Sequence, residues 1–326
     1  MKPVILPPTC VVALILLLLA APCAVWANTC YVGSGGTYSF GSSTSFSVAT
    51  APQTANALEV AGCTGGLLNV LVILGDPPYL RATLAASTNG FQLESSGGDV
   101  IPYSAFADPG HSYLITPAVA FNYYQSALLS LLGLLGGSSN SLPMYFRTNT
   151  GANVAAGVYT DTFNIQWSWR LCNLGAVVCL GYTSGSGVTP ITLTMTVTNA
   201  CQINAAPHVS FGQAPTPDSF PTVTQSISVL CTKNLSDFSV GLGPGLYPSG
   251  GMRRMQSGMN YLQYNIYKPG GTLVWGNGGS DRVSIVNSPF NGSTSQQIPY
   301  EAKITANQPI VPTGHYTDTI VVDVSF

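Results

Sequence analysis

Two stretches decide the fold: "GVYTDTFNIQWSW" at residues 157–169 and "GHYTDTIVVDVSF" at residues 314–326. Both carry Tyr-Thr-Asp-Thr, at Tyr159–Thr162 and at Tyr316–Thr319. Other landmarks recur upstream of each copy. The spacing from Cys30 to Ser39-Phe40-Gly41 equals that from Cys201 to Ser210-Phe211-Gly212. A second cysteine follows in each half, Cys63 and then Cys231. Landmarks that repeat in order and spacing imply tandem homologous domains.

The local patterning is that of strands. "QSISVLCT" (225–232), "YLQYNIY" (261–267) and "IVVDVSF" (320–326) alternate apolar and polar residues. Gly and Pro clusters at 243–245, 269–271 and 276–279 separate them. Several short strands with regular turn signals predict an all-β protein of two tandem Ig-like β-sandwiches. The expected disulfides are Cys30–Cys63 and Cys201–Cys231, each tying a first strand to a second, and Cys172–Cys179 as a small loop clip. Sequence alone leaves other connectivities open.

The chain has 326 residues and begins with Lys2, an apolar run Val11–Ala21, and Val25-Trp26-Ala27. That is the pattern of a secretory signal peptide, residues 1–27, cleaved before Asn28. Without it the chain has nine Lys+Arg against twelve Asp+Glu, a net charge of −3, and six cysteines. An even count in a secreted chain suits an oxidising compartment. Charged residues make up 7%, against about 25% in typical domains. The surface is therefore unusually neutral, and nothing is basic enough for nucleic acid.

The early Cys, Ser-Phe-Gly, the second Cys and a closing Gly-x-Tyr-Thr-Asp-Thr strand together resemble the spore coat protein U domain family. Residues 200–326 match the pattern over their whole length; the N-terminal half matches at its ends and diverges in its middle. The resemblance implies pilin-like sandwiches of archaic, Csu-type chaperone–usher pili, polymerised by donor-strand complementation. An incomplete sandwich leaves an unpaired edge and an apolar groove, which recruit a strand in trans. The partners implied are a periplasmic chaperone, an outer-membrane usher, and an adjacent subunit that donates a strand. The contact set implied is Tyr316, Ile320, Val322, Val324 and Phe326, with the Phe326 carboxylate offered to basic chaperone residues.

Nothing follows the closing strand of the C-terminal half, so a pilin domain at 200–326 is expected to lack its last strand. In the N-terminal half the strand Val158–Arg170 is followed by a predicted loop, Leu171–Gly187. Then Ile191, Leu193, Met195 and Val197 alternate with threonines. That period of two predicts a half-buried strand, 188–198, completing an adhesin domain at 28–199 in cis. Only Asn28 and Thr29 precede Cys30, too few to form a donor arm. A subunit that accepts but cannot donate belongs at the distal tip of a pilus.

The inventory for chemistry is thin, and no enzyme, metal or cofactor is expected. The histidines are His111, His208 and His315; His315 stands where the first copy has Val158. "GYTSGSG" (181–187) reads as a turn rather than a nucleophile elbow, since it precedes a strand. Arg253-Arg254 reads as a solvated loop.

"YYQSALLSLLGLLGGSS" (123–139) stands apart, within a stretch from Pro109 to Phe146 that has no charged residue. It is too short for the ~20 residues that span a membrane. Paired leucines break strand alternation, and two glycines disfavour a helix by about 1 kcal/mol each. The expectation is an exposed apolar tip, with a covered core helix as the alternative. Together with Leu174, Val177 and Val178 of the 171–187 loop, residues Leu128, Leu129, Leu131, Leu132, Leu134 and Leu135 form a candidate contact for abiotic or host surfaces. The function expected is a secreted tip adhesin that mediates attachment and biofilm formation at the cell surface. Two alternatives remain: a glycan or receptor pocket lined by Tyr103, Tyr123, Tyr124, Trp167 and Trp169, or a non-adhesive coat or envelope protein.

Overall fold

The computed structural model describes residues 29–64, 77–132, 139–172, 179 and 181–326. The expected signal peptide lies outside them. The N-terminal half opens with β1 (Thr29–Val32), β2 (Gly36–Thr44), β3 (Thr54–Thr64), β4 (Tyr79–Ala85), β5 (Gln92–Ser95) and β6 (Val100–Phe106). The short β7 (Leu114–Ile115) and β8 (Phe121–Asn122) precede β9 (Ser139–Thr148). The long hairpin β10 (Gly157–Cys172) and β11 (Tyr182–Thr198) ends the half. Two short helices interrupt it, α1 (Ser45–Thr50) and α2 (Ser126–Leu131). The C-terminal half has β12 (Cys201–Ala205), β13 (Val223–Cys231), β14 (Phe238–Leu242) and β15 (Arg253–Ser257). It continues with β16 (Asn260–Tyr267), β17 (Val283–Ile285), β18 (Gln296–Ile304) and β19 (Val322–Ser325).

The N-terminal strands form one curled sheet, β1-β3-β9-β6-β5-β10-β11-β2, with β4 also paired to β10. The C-terminal half splits into β12-β13-β18-β16-β15 and β17-β14-β19. The order β1-β3-β9-β6-β5 thus reappears as β12-β13-β18-β16-β15, and the pair β4–β10 reappears as β14–β19. Among the described residues, no strand of the C-terminal half corresponds to β11 or to β2.

β10 alternates as its sequence requires: Tyr159, Phe163, Ile165, Trp167, Trp169 and Leu171 point into the core. Burying side chains of this size stabilises the fold by about 1.5–3 kcal/mol each. Ile191, Leu193, Met195 and Val197 of β11 are buried on the same side. β11 runs antiparallel to β10 and parallel to β2. It begins at Tyr182, however, and pairs as far as Cys172↔Tyr182. Of the predicted 171–187 loop, residues 171–172 and 182–187 are therefore strand, and "GYTSGSG" is not a free turn. Its glycines answer to packing: a Cβ on Gly185 would lie 2.4 Å from the Trp169 ring, and one on Gly187 would lie 2.6 Å from Val32.

Arg253 is buried, which corrects its reading as a solvated loop residue. Its guanidinium donates to the carbonyls of Gly243 (2.9 Å), Leu242 (2.8 Å) and Trp275 (2.6 Å). Three carbonyls around one fork satisfy a buried cation without a carboxylate. Arg254 does lie nearer the surface, over the Tyr261 ring at 4.2 Å.

The two halves touch through a polar seam. Ser45 and Thr232 share a buried 2.7 Å hydroxyl bond, Asn153 donates to the Asn291 carbonyl at 2.9 Å, and Lys233 pairs with Asp99.

Candidate functional site

The repeated Tyr-Thr-Asp-Thr builds the same corner twice. Tyr159 donates its hydroxyl to the Ala155 carbonyl at 2.7 Å, and Tyr316 donates to the Pro312 carbonyl at 2.8 Å. This tyrosine corner fixes the entry of the strand in Ig-like sandwiches. The aspartates then accept from core tyrosines, Asp161 from Tyr103 on β6 and Asp318 from Tyr264 on β16. Sequence reading found the repeat but not these tyrosines, which lie far away along the chain.

Beyond the corner the two copies diverge in burial. Phe163 and Ile165 are 0% exposed and Trp167 2%. Their counterparts Ile320, Val322 and Val324 rest against the core but are only half-buried. Trp169 is 8% exposed, whereas Phe326 is 58% exposed. The pairing explains the difference. β10 is flanked by β4 on one side and by β11 on the other. β19 pairs with β14, from Leu242↔Val322 to Ser239↔Ser325, and among the described residues its other edge has no strand partner. An edge of this kind presents unpaired backbone N–H and C=O groups beside half-covered apolar side chains.

The second Ser-Phe-Gly also differs from the first. In the N-terminal half Ser39-Phe40-Gly41 belongs to β2 and lies against β11. Its counterpart keeps the buried phenylalanine, Phe211, and a glycine of positive φ (Gly41 +83°, Gly212 +78°), but forms no strand. β2 pairs with β11 alone, so a copy without that neighbour has nothing to pair with. Ile320, Val322 and Val324 thus lie half-covered on or just before an edge strand that has one strand partner among the described residues. From outside, Arg282 holds β19 in place: it contacts Asp323 at 2.6 Å and donates to Ser239 Oγ at 2.9 Å.

The other candidate surface lies at the far end of the N-terminal half. Thr64 pairs with Ser139, Tyr79 with Arg170, and Cys172 with Tyr182. The Tyr123 N–H donates to Leu80, the partner of Trp169. The described residues Thr64, Tyr79, Ser139, Cys172 and Tyr182, which border the connections 65–76, 133–138 and 173–178, therefore lie at one end of the sheet. The first of these connections, "GGLLNVLVILGD", is as apolar as the leucine segment, and the sequence reading did not single it out.

The leucine segment itself is partly helix. Leu128 is fully buried, so it is removed from the contact set; it faces inward from α2, next to Tyr123 in the same core. Leu132 packs partly against that core, and Leu131 is 57% exposed. The side chain of Leu129, and Leu134, Leu135, Leu174, Val177 and Val178, lie outside the described residues. Tyr103, Tyr123, Trp167 and Trp169 are buried in the core, which leaves no aromatic pocket among them. Cys30 is bonded to Cys63, Cys172 to Cys179, and Cys201 to Cys231.

The Spore Coat Protein U domain model matches residues 15–166 and again 188–323. The chain belongs to this family. The first match runs into β10, and the second begins within β11 and runs on through β12–β18 into β19. Family membership accounts for the repeated cysteine pair, Ser-Phe-Gly and Tyr-Thr-Asp-Thr together. Among solved structures, a chain of the CsuC–CsuE chaperone–tip adhesion subunit pre-assembly complex, from the archaic chaperone–usher Csu pili of Acinetobacter baumannii, has the same fold. The TM-score is 0.64 at 23% identity, covering 91% of this chain and 100% of that one. The CooA pilin subunit of enterotoxigenic Escherichia coli gives a TM-score of 0.30 at 11% identity, over 53% of this chain and 99% of that one. The CupB6 tip adhesin of Pseudomonas aeruginosa gives 0.25 at 12%, over 84% and 85%. No curated protein matches the chain.

Proposed function

We propose that this chain is a non-enzymatic two-domain tip adhesin of an archaic chaperone–usher pilus. In this reading the signal peptide is residues 1–27, the adhesin domain is 28–199 and the pilin domain is 200–326. One observation carries it: β10 has its cis partner β11, whereas the matching β19, among the described residues, keeps a free edge and a half-covered apolar row. A complete unit joined to an open one is the arrangement expected of a subunit that accepts a strand. The fold shared with a chain of a chaperone–tip adhesion subunit complex supports the assignment.

The free edge of β19 takes a strand first from a periplasmic chaperone, delivered to an outer-membrane usher, and then from the adjacent subunit. Tyr316, Ile320, Val322, Val324 and Phe326 line the contact. Attachment and biofilm formation use the distal end of the adhesin domain. There Leu129 and Leu131 of α2 and the apolar connections, including Leu134, Leu135, Leu174, Val177 and Val178, meet an abiotic or host surface. Burying such area is worth about 25 cal/mol per Å².

The test is to express the mature chain with a ten-residue alternating strand joined to Phe326 by a flexible linker. The proposal expects a higher thermal midpoint than that of the chain alone. An unchanged midpoint, with the linker shown intact, overturns it.

A further inference from the structure

A cavity lies on the flank of the N-terminal half, away from the distal connections. Of about 310 Å³, it opens on the outer face of β6 and β9, lined by Pro52, Ser104, Phe106, Arg147, Thr148, Asn149 and Thr150. It lies near the end of β9 opposite Ser139. At about 3.3 Å per residue, that is some 25–30 Å from the distal connections.

The charges single out Arg147. Once the leader is removed the chain has nine Lys and Arg residues, all of them described. Eight are engaged. Arg81 sits over the Tyr79 ring, Arg170 donates to the Pro77 carbonyl, and Lys233 pairs with Asp99. Arg253 and Arg254 donate to carbonyls, as does Lys268, while Arg282 and Lys303 hold carboxylates. Arg147 alone has no partner among the described residues, and no carboxylate lines its cavity.

Its neighbours are equally free. The side chains of Ser104, Asn149 and Thr150 make no hydrogen bond among the described residues, whereas the adjacent Thr148 hydroxyl is used by the Gln53 N–H at 2.8 Å. Phe106 completes the wall, its ring held edge-on by His111 at 5.0 Å. The cavity therefore offers a planar cationic fork, three short uncharged polar groups and one apolar ring face. Its volume is at the low end of the ~300–1,000 Å³ of small-molecule sites.

We propose that this cavity binds one carboxylate-bearing sugar of an acidic polysaccharide. Arg147 takes the carboxylate, for which a guanidinium fork is the matched donor. Ser104, Asn149 and Thr150 take ring hydroxyls, and Phe106 covers a carbon face of the sugar. A bare inorganic anion would leave the hydroxyl-binding groups and the ring unused. The site does not depend on the strand-acceptor reading and would add a chemically selective contact to an otherwise apolar surface chemistry.

The mature full chain is titrated by calorimetry or NMR with methyl glucuronide, methyl glucoside and acetate. Saturable binding of the glucuronide is expected, with the glucoside and acetate each weaker by roughly tenfold or more. Arg147→Ala should weaken the glucuronide by a similar factor, and Arg147→Lys by less, since Lys keeps the charge and loses the fork. Arg147 is exposed, so neither variant threatens the fold. The proposal is overturned if Arg147→Ala binds as well as the parent, if acetate matches the glucuronide, or if no sugar binds saturably.

Discussion

The phenol of Tyr264 donates a 2.6 Å hydrogen bond to Oδ2 of Asp318, and the phenol of Tyr103 makes the matching 2.8 Å bond to Asp161. Burial pushes both phenols far above their ordinary pKa, and the aspartate each one faces pushes further the same way. They remain donors at any pH the protein meets. Tyr103→Phe leaves a buried carboxylate short of one donor and should destabilise by about 1.5–3 kcal/mol in urea titration. Tyr264→Phe should cost less, because Asp318 is only half-buried. Equal costs would mean that the two corners are equally enclosed, against the open edge of β19.

The two described leucines of α2 should behave in opposite ways. Leu128→Ala empties a core site and should cost about 2–5 kcal/mol. Leu131→Ser should leave stability within about 0.5 kcal/mol while reducing attachment of displayed pili to plastic. Full attachment by the Leu131 variant, with display intact, would remove Leu131 from the contact surface.

The seam between the halves should be acid-labile. Burial raises the Asp99 carboxyl, but the hydrogen bond from Lys233, the Ala155 N–H and the Lys233 charge outweigh it and hold it below the usual carboxylate value. A carboxyl depressed on folding adds stability that is fully present above its unfolded value and is lost as the pH falls through the folded one. The thermal midpoints of the parent and of Asp99→Asn should therefore differ by a constant amount above about pH 5 and converge below about pH 4. A gap that persists in acid would assign the effect to shape rather than charge.

Arg253 should not be replaceable by lysine. Its fork reaches three carbonyls from one position, and an ammonium has neither the reach nor the plane. Orphaned buried acceptors cost about 1–3 kcal/mol each, so Arg253→Lys should lower stability by roughly 3 kcal/mol or more in denaturant titration.

Much of this architecture was legible in the sequence where the period is strict. Ile191, Leu193, Met195 and Val197 announced an inward face, and the repeated cysteines and Tyr-Thr-Asp-Thr announced two copies. What escaped were features set by contacts distant in sequence. Gly185 and Gly187 look like turn residues and are strand residues, because their missing side chains make room for Trp169 and Val32. The Arg253-Arg254 pair looks solvated, but one member is the hub of a carbonyl cluster. Leu128 and Leu131 are three residues apart with the same chemistry; only the packing of α2 on the core turns one inward. Arg147 could not be singled out until the partners of the other eight cations were known.

Hydrogen exchange along β10 and β19 of the mature full chain tests the central claim most directly. The account predicts slow exchange for the amides of 164–170, which have strands on both sides. Alternate amides of 320–325, those on the free edge, should exchange fast, and they should become protected when a complementary strand is joined to Phe326. Uniform protection of 320–325 in the chain alone, or no change on adding the strand, would contradict it.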